Sequence, residues 1–424
     1  MAVTGDSVTI NTEGLASSLI EDTESHDLLG SRKCCIFKIP NLLYRQNETA
    51  FIPDAFSLGP IHHGHPNMRS TEKFKVMYLH GLITRISSPD TRKKRVIDLV
   101  NSIKDVEREA REYYAEPIEY TPEEFVKILV LDGCFIIELF RKKAYEELRE
   151  QDDPIFSTSC MLQFLYHDLI LLENQVPWIV LERLFNATIQ QTYNDALLLL
   201  AIRFFGSTFS PIPPPTTILP LEGVKHIVDL LRKWLVSSSK EEESNSEYWE
   251  VMPSATALVE AGIKLVKGTS ESILDVEFND GILKIPPLFS QETTETVFRN
   301  LICFEQCYPN CESRLSSYAV LIGNLINTRK DMDILCENEI IDSWLNRKDA
   351  VQFFNKLYHY SYLKTFYYGR LCKKVNGYCQ RRWPRWRAVL VRNYFNTPWA
   401  MLSTLAAIIL LILSFLQTLY TMKR

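Results

Sequence analysis

A mainly α-helical, bundle-like cytosolic region with a minor β-hairpin and one C-terminal transmembrane helix is the fold class that this 424-residue sequence predicts. Three observations carry it. Long apolar stretches open on helix-start signals, one short stretch alternates around an Asn-Asp-Gly turn, and a late charge-free run matches the thickness of a bilayer.

Residues 1–33 are polar, acidic and weakly periodic, which predicts a flexible N-terminal arm. A helical region over 34–208 follows. CCIFKIP (34–40) suits a short strand ended by Pro40, a loop leads to SLGPIHHGHP (57–66), and an amphipathic helix is expected over about 71–87. Thr121-Pro122-Glu123-Glu124 is a helix start, with Thr at the N-cap, Pro at the first position and Glu at the third. It opens EEFVKILVLDGCFIIELF, apolar on nearly every face and so a central core helix. A second such segment, CMLQFLYHDLILLENQVPWIVLERLF, should break or kink at Pro177.

FSPIPPPTTILP (209–220) cannot form regular structure and reads as a connector between two regions. The second region, 221–395, should hold a helix near 222–236 and a solvated acidic loop, SSSKEEESNSE. ILDVEF-NDG-ILKI (273–285) predicts a β-hairpin, because Asn279, Asp280 and Gly281 tolerate positive φ. Helices are expected over 293–308, 312–327, 347–376 and 382–395.

No charged residue lies between Arg392 and Lys423, and Trp399–Tyr420 reads WAMLSTLAAIILLILSFLQTLY. Twenty-two helical residues rise roughly 33 Å, enough for a ~30 Å hydrocarbon core. Lys373, Lys374, Arg381, Arg382, Arg385, Arg387 and Arg392 precede the span, and only Lys423 and Arg424 follow it. The positive-inside bias therefore puts the bulk of the chain in the cytosol. Insertion is then expected after synthesis, as for tail-anchored proteins. Reduced cysteines and unmodified sequons at Asn47 and Asn186 follow from that placement. Trp383, Trp386, Tyr378 and Tyr394 among these cations read as interfacial anchors, so membrane lipid is the expected partner of the 399–420 helix and the basic segment before it.

The net charge of −5 argues against a dedicated nucleic-acid binder. Ten scattered cysteines do not form a disulfide scaffold, and the N-terminus lacks the basic start and apolar run of a signal peptide. Neither a dinucleotide fingerprint nor a P-loop, a nucleophile elbow or a zincin motif occurs. Three candidates for chemistry remain. His62, His63 and His65 can offer nitrogens to zinc or act as a base, but adjacent residues of an extended segment point to opposite faces. The expected role is structural, one imidazole bonding turn carbonyls and another pairing with a buried acid. Cys303, Cys307 and Cys311 repeat every four residues, with Pro309 interrupting, and read as small buried hydrophobes. Asp132, Glu138, Asp168 and Glu173 lack the Glu-x-x-His spacing of a diiron bundle and are expected as buried partners of His, Arg or backbone N–H. No catalytic, cofactor or metal residue is assigned.

KIPNLLYRQNETAFIPDAFSLGPIHHG, LVLDGCFIIELF, DLILLENQVPWIVLERLF, KIPPLFSQETTETVFRNLICFEQC and YFNTPWAMLSTLAAIILLILSFLQTLY resemble the motifs of the plant family called domain of unknown function 247. The resemblance runs from about Cys34 to Tyr420. HPNMRSTEKFKVMYL, following the HHG, departs from the family's usual continuation. The resemblance implies a helical plant protein with a C-terminal span and no known catalytic chemistry. Some relatives have been tied to pollen–stigma self-recognition, so a scaffold binding an unknown protein partner in recognition, defence or signalling is the expected class. A metal-dependent or His-based hydrolase built on the HHGH loop and the buried acids is the alternative.

Overall fold

A computed structural model describes residues 11–25, 33–190, 192–193, 195–206, 221–239, 249–359, 361–380 and 398–422. The connector at 209–220, the acidic loop at 240–247 and the basic segment at 382–395 lie outside them. Helices dominate the described residues, as the periodicity predicts.

The centre is the helix Pro122–Ala144. Its start is the predicted one: Thr121 Oγ1 accepts the Glu124 N–H at 3.3 Å, and Glu124 Oε2 accepts the Thr121 N–H at 3.0 Å. Almost every side chain from Phe125 to Lys142 is buried, which explains a sequence apolar on all faces. Helices Arg69–Ile86, Arg92–Lys104, Trp178–Ala187 and Leu197–Phe205 pack around it. Its buried charged side chains each find a partner, since burying a charge without one is costly. Glu138 takes both Arg85 N–H groups at 2.6 Å, Lys142 reaches Asp153 at 2.7 Å, and Arg141 donates to Thr188 O at 3.1 Å.

The second apolar segment leaves the helix earlier than Pro177 predicts. Ser159–Leu169 stops at Ile170, and Trp178–Ala187 begins directly after Pro177. Side chains that satisfy the terminal carbonyls explain the early stop. Gln175 Nε2 donates to Leu169 O and Leu171 O at 2.7 and 2.8 Å, and Asn174 Nδ2 to Asp168 O at 2.9 Å.

Strand β1 (Lys264–Lys267), β2 (Glu277–Asn279) and β3 (Ile282–Ile285) form one sheet in the order β1-β3-β2. The predicted hairpin is β2–β3, turning at Asp280 (φ 47°) and Gly281 (φ 80°). Its tip is not free. A Cβ on Gly281 would lie 2.4 Å from the Tyr378 hydroxyl oxygen, so the turn packs against that ring. The parallel partner β1, and a second pair of β4 (Leu288–Ser290) with β5 (Ile341–Ser343), escape periodicity because strands of three or four residues are too short to show it.

Other expectations need correction. CCIFKIP makes a lone bridge, Ile36 to Tyr114, instead of a strand. Within the 1–33 arm, Thr12–Ser25 is helical; Asn11 Oδ1 accepts the Gly14 N–H at 3.1 Å, a local cap that operates without core packing. The stretch 347–376 is two helices, Arg347–Leu357 and Gly369–Cys379. Between them the backbone is bonded by other segments: Tyr362 N–H donates to Gln306 Oε1 at 2.8 Å and Tyr367 N–H to Ser317 Oγ at 3.3 Å. The helix Arg329–Glu337, with its Thr328/Asp331 capping box, went unforeseen.

One continuous apolar core runs from Cys35 to Val375. The helix Pro398–Met422 stands apart from it, and its segment Leu405–Met422 has a mean hydropathy of 2.1 with none of it buried. It is long and apolar enough to cross a membrane.

The cap at Thr121 orders the start of the central helix. Thr121→Ala should lower the unfolding free energy by about 1 kcal/mol, read as a lower urea midpoint with an unchanged slope.

Candidate functional site

Residues 54–60 belong to no helix or strand, yet most are buried. Their backbone groups must therefore find partners elsewhere. Three acids and amides on distant segments supply them. Asp168 Oδ1 accepts the Asp54 N–H at 2.7 Å, while its Oδ2 accepts the Ala55 and Phe56 N–H groups at 2.9 and 2.7 Å. Asn174 accepts from Leu58 N–H at 2.7 Å and donates to Phe56 O at 2.9 Å. Asp132 accepts the Gly59 N–H at 2.8 Å and pairs with Lys75 Nζ at 2.7 Å.

Lys75 is fully buried and also bonds Ser57 O and Glu72. Desolvation opposes its charge, but Asp132 and Glu72 outweigh that and hold its pKa above the ordinary lysine value. Gly59 sits at φ 73°, and a Cβ there would fall 2.4 Å from Gln175 O. The motif glycine therefore answers both a left-handed backbone and a close approach.

The histidines do not tie this loop. His62 Nε2 lies 3.9 Å from Glu173 Oε2, beyond hydrogen-bond reach, and neither it nor His63 Nδ1 has a hydrogen-bond partner among the described residues. Burial, then the neighbouring His65, pushes His62 down to about 4, so it is neutral at pH 7 and the contact with Glu173 is not ionic. Glu173 spends one oxygen on the Ile39 N–H at 2.6 Å. His63 stacks edge-on against Tyr120, whose hydroxyl donates to His63 O at 3.1 Å. Beside them opens a cleft of about 570 Å³, lined by Ile36, Lys38, Ile61, Glu116, Tyr120 and Glu173 among others.

The four carboxylates named from the sequence stay apart, each with its own partner, as expected. They do not form a shared site. Of the three cysteines, Cys303 and Cys307 meet, Sγ to Sγ at 3.9 Å, while Cys311 joins no metal-ligand group among the described residues. One unforeseen grouping exists. Ligand atoms of Asp54, His167 and Asp168 lie within 4.8 Å of one another. His167 Nδ1 is 2.9 Å from Asp168 Oδ1 and 3.5 Å from Asp54 Oδ2. With that contact each Asp168 oxygen already has two donors, so a cation would have to compete with all of them. Desolvation lowers the His167 pKa, but the Asp168 hydrogen bond, Asp168 charge and Asp54 charge outweigh it and raise the group above the ordinary value. An ion pair closing the clamp is the chemistry this geometry favours.

The same device recurs in the C-terminal half. Glu305 accepts the Leu315 and Ser316 N–H groups at 3.0 and 2.9 Å and pairs with Arg232 at 3.2 Å. Asn300 accepts the Leu172 N–H at 2.9 Å and donates to Ala50 O at 2.8 Å. His226, missed in the sequence because it is not a usual cap residue, accepts the Asp229 N–H on Nδ1 at 3.3 Å. Its Nε2 lies 3.2 Å from Cys35 O, which assigns the proton to Nε2.

The family described as "Plant protein of unknown function", domain of unknown function 247, matches residues 36–413. The chain belongs to that family. A curated member-like relative, UPF0481 protein At3g47200 of Arabidopsis thaliana, is 27% identical over 92% of this chain and 86% of its own length. Putative UPF0481 protein At3g02645, also of Arabidopsis thaliana, is 22% identical over 94% of this chain and 92% of its own length. No solved structure matches. Domain of unknown function 247 motifs thus acquire a physical meaning in this chain: Gly59, Asp132, Asp168, Asn174, Asn300 and Glu305 all hold backbone or are held by it.

Two outcomes follow. Asp168→Ala strands three backbone donors and should cost about 3 kcal/mol or more, with Gly59→Ala also destabilising, both measured by chemical denaturation. Burial pushes His226 down to about 4, as it does His62. Both are neutral in the fold and titrate near 6.5 when unfolded, so the unfolded state takes up protons first as pH falls. Their contribution is intact above about pH 6.5 and is lost down to about 4. His226→Gln should flatten that part of the stability-versus-pH curve.

Proposed function

We propose that this chain is a non-catalytic, membrane-anchored scaffold that binds a protein partner in plant recognition, defence or signalling. The observation that supports it most is the occupation of the chemistry-bearing side chains. Asp132, Asp168, Asn174 and Glu305 are engaged by backbone amides and fixed cations, an arrangement suited to rigid display of loops rather than to turnover. The Pro398–Met422 helix supports the anchor, and the excess of cations before it supports a cytosolic bulk, with the plasma membrane as the proposed site.

Recognition is assigned to the acidic stretch 240–247 and to the hairpin tip. Glu241, Glu242 and Glu243 supply a charged segment, and Asn279 and Asp280 remain exposed at the hairpin tip while Gly281 is covered. Charge on such a loop acts mainly on association rate.

A proximity-labelling screen in plant membranes tests the reading. Full-length protein should label a defined protein partner, and Glu241/Glu242/Glu243→Ser should weaken that capture at low salt while folding and membrane targeting persist. Deleting 399–424 should move the protein to the soluble fraction, since the basic segment alone gives salt-sensitive attraction. Capture unaltered in both the acidic-loop variant and an Asn279–Gly281 replacement would remove these loops from the proposal. Stoichiometric metal lost on His62→Ala or His63→Ala would favour the hydrolase alternative.

A further inference from the structure

The helix Arg92–Lys104, RKKRVIDLVNSIK, is built against its own electrostatics. Four consecutive cations occupy its first turn, with no acidic residue there and no side-chain cap. The positive end of the helix dipole lies at that terminus, so each cation is unfavourable by a few tenths of a kcal/mol or more. The helix as a whole carries five cations against the single Asp98. Its buried stripe is Leu99 and Ile103, which face the core. The face flanking that stripe is exposed. Lys93, Val96, Ile97, Val100 and Lys104 fall at i, i+3, i+4, i+7 and i+11, a single stripe along three turns, with Lys94 at its edge. Val96, Ile97 and Val100 are 38%, 47% and 38% exposed. Among the described residues none of Lys93, Lys94 and Lys104 is in an ion pair.

Lysines flanking a strip of exposed aliphatic side chains match a surface that is anionic outside and apolar just beneath. That is the layering of a lipid leaflet. A nucleic acid offers the phosphates but no apolar layer for three β-branched side chains. We propose that this face docks on an anionic lipid surface. Lys93, Lys94 and Lys104 meet headgroup phosphates, and Val96, Ile97 and Val100 enter the headgroup boundary. The docking rests on the membrane-anchored reading only for proximity, since the face is complementary to a leaflet with or without the span.

The test uses the full chain with vesicles of phosphatidylcholine alone or mixed with phosphatidylserine, read by flotation and by amide hydrogen exchange. Flotation with neutral vesicles, resistant to high salt, reports the span. Slower exchange over 93–104 in the anionic vesicles only reports docking. Lys93/Lys94/Lys104→Ser should abolish that slowing, the docking equilibrium falling about fivefold per lysine, with melting temperature kept. Val96/Val100→Ser should weaken docking without changing its salt dependence. Failure of flotation with neutral vesicles alongside protection in anionic ones would sink the anchor and keep the docking face. Equal exchange in both vesicle types, slowing that survives the lysine changes, or protection by a short DNA duplex but not by vesicles would each overturn the proposal.

Discussion

The fold depends on carboxylates that hold backbone. A loop such as 54–60 cannot be buried with its N–H groups empty, because each would forfeit a hydrogen bond to water. Asp168 takes three of those groups, Asp132 and Asn174 one each. The central helix, the Ser159–Leu169 helix and the loop are thereby joined through single side chains. Removing the loop from this arrangement would expose Phe56 and Leu58, which lie wholly within the core. Hydrophobic burial supplies the drive here, and the polar clamp supplies the one geometry in which that burial is allowed.

Charge balance inside the clamp is local. Lys75 answers Asp132, His167 answers Asp168, Arg85 answers Glu138 and Arg232 answers Glu305. Each of these carboxylates accepts contacts on both oxygens, which a buried ion needs to offset its desolvation. The carboxylates hence do not compete for one another's partners and do not converge on a common centre.

Helix identity was largely legible in the residues, because Thr121-Pro122-x-Glu124 and the apolar runs encode local preferences. The asparagine–aspartate–glycine turn was legible for the same reason, since only such residues accept φ of 47° and 80° in succession. Element ends were less so. Whether the second apolar segment stops at Leu169 or at Pro177 is decided by Asn174 and Gln175 turning back on its carbonyls, a choice that no period reports. The acids were recognisable as buried partners, but their targets were not. The histidines drew attention by composition, whereas Asp168 and Asn174 carry the loop. Lys75 gave no sign of burial, because lysine on an amphipathic helix ordinarily faces water. Parallel pairing of β1 with β3 joins segments whose turn chemistry is silent about each other.

Asn300 donates to Ala50 O and accepts from Leu172 N–H, joining three segments that are far apart in the chain. During synthesis this has a temporal consequence. Ala50 and Asn300 are separated by 250 positions, so at roughly 5–20 residues per second the earlier segment waits on the order of ten to fifty seconds for its partner. Residues 54–60 meet Asp132, Asp168 and Asn174 sooner, whereas the Ala50 carbonyl lacks Asn300 until the later half emerges. The contacts that Asn300 makes to Ala50 and Leu172 are therefore completed late in synthesis.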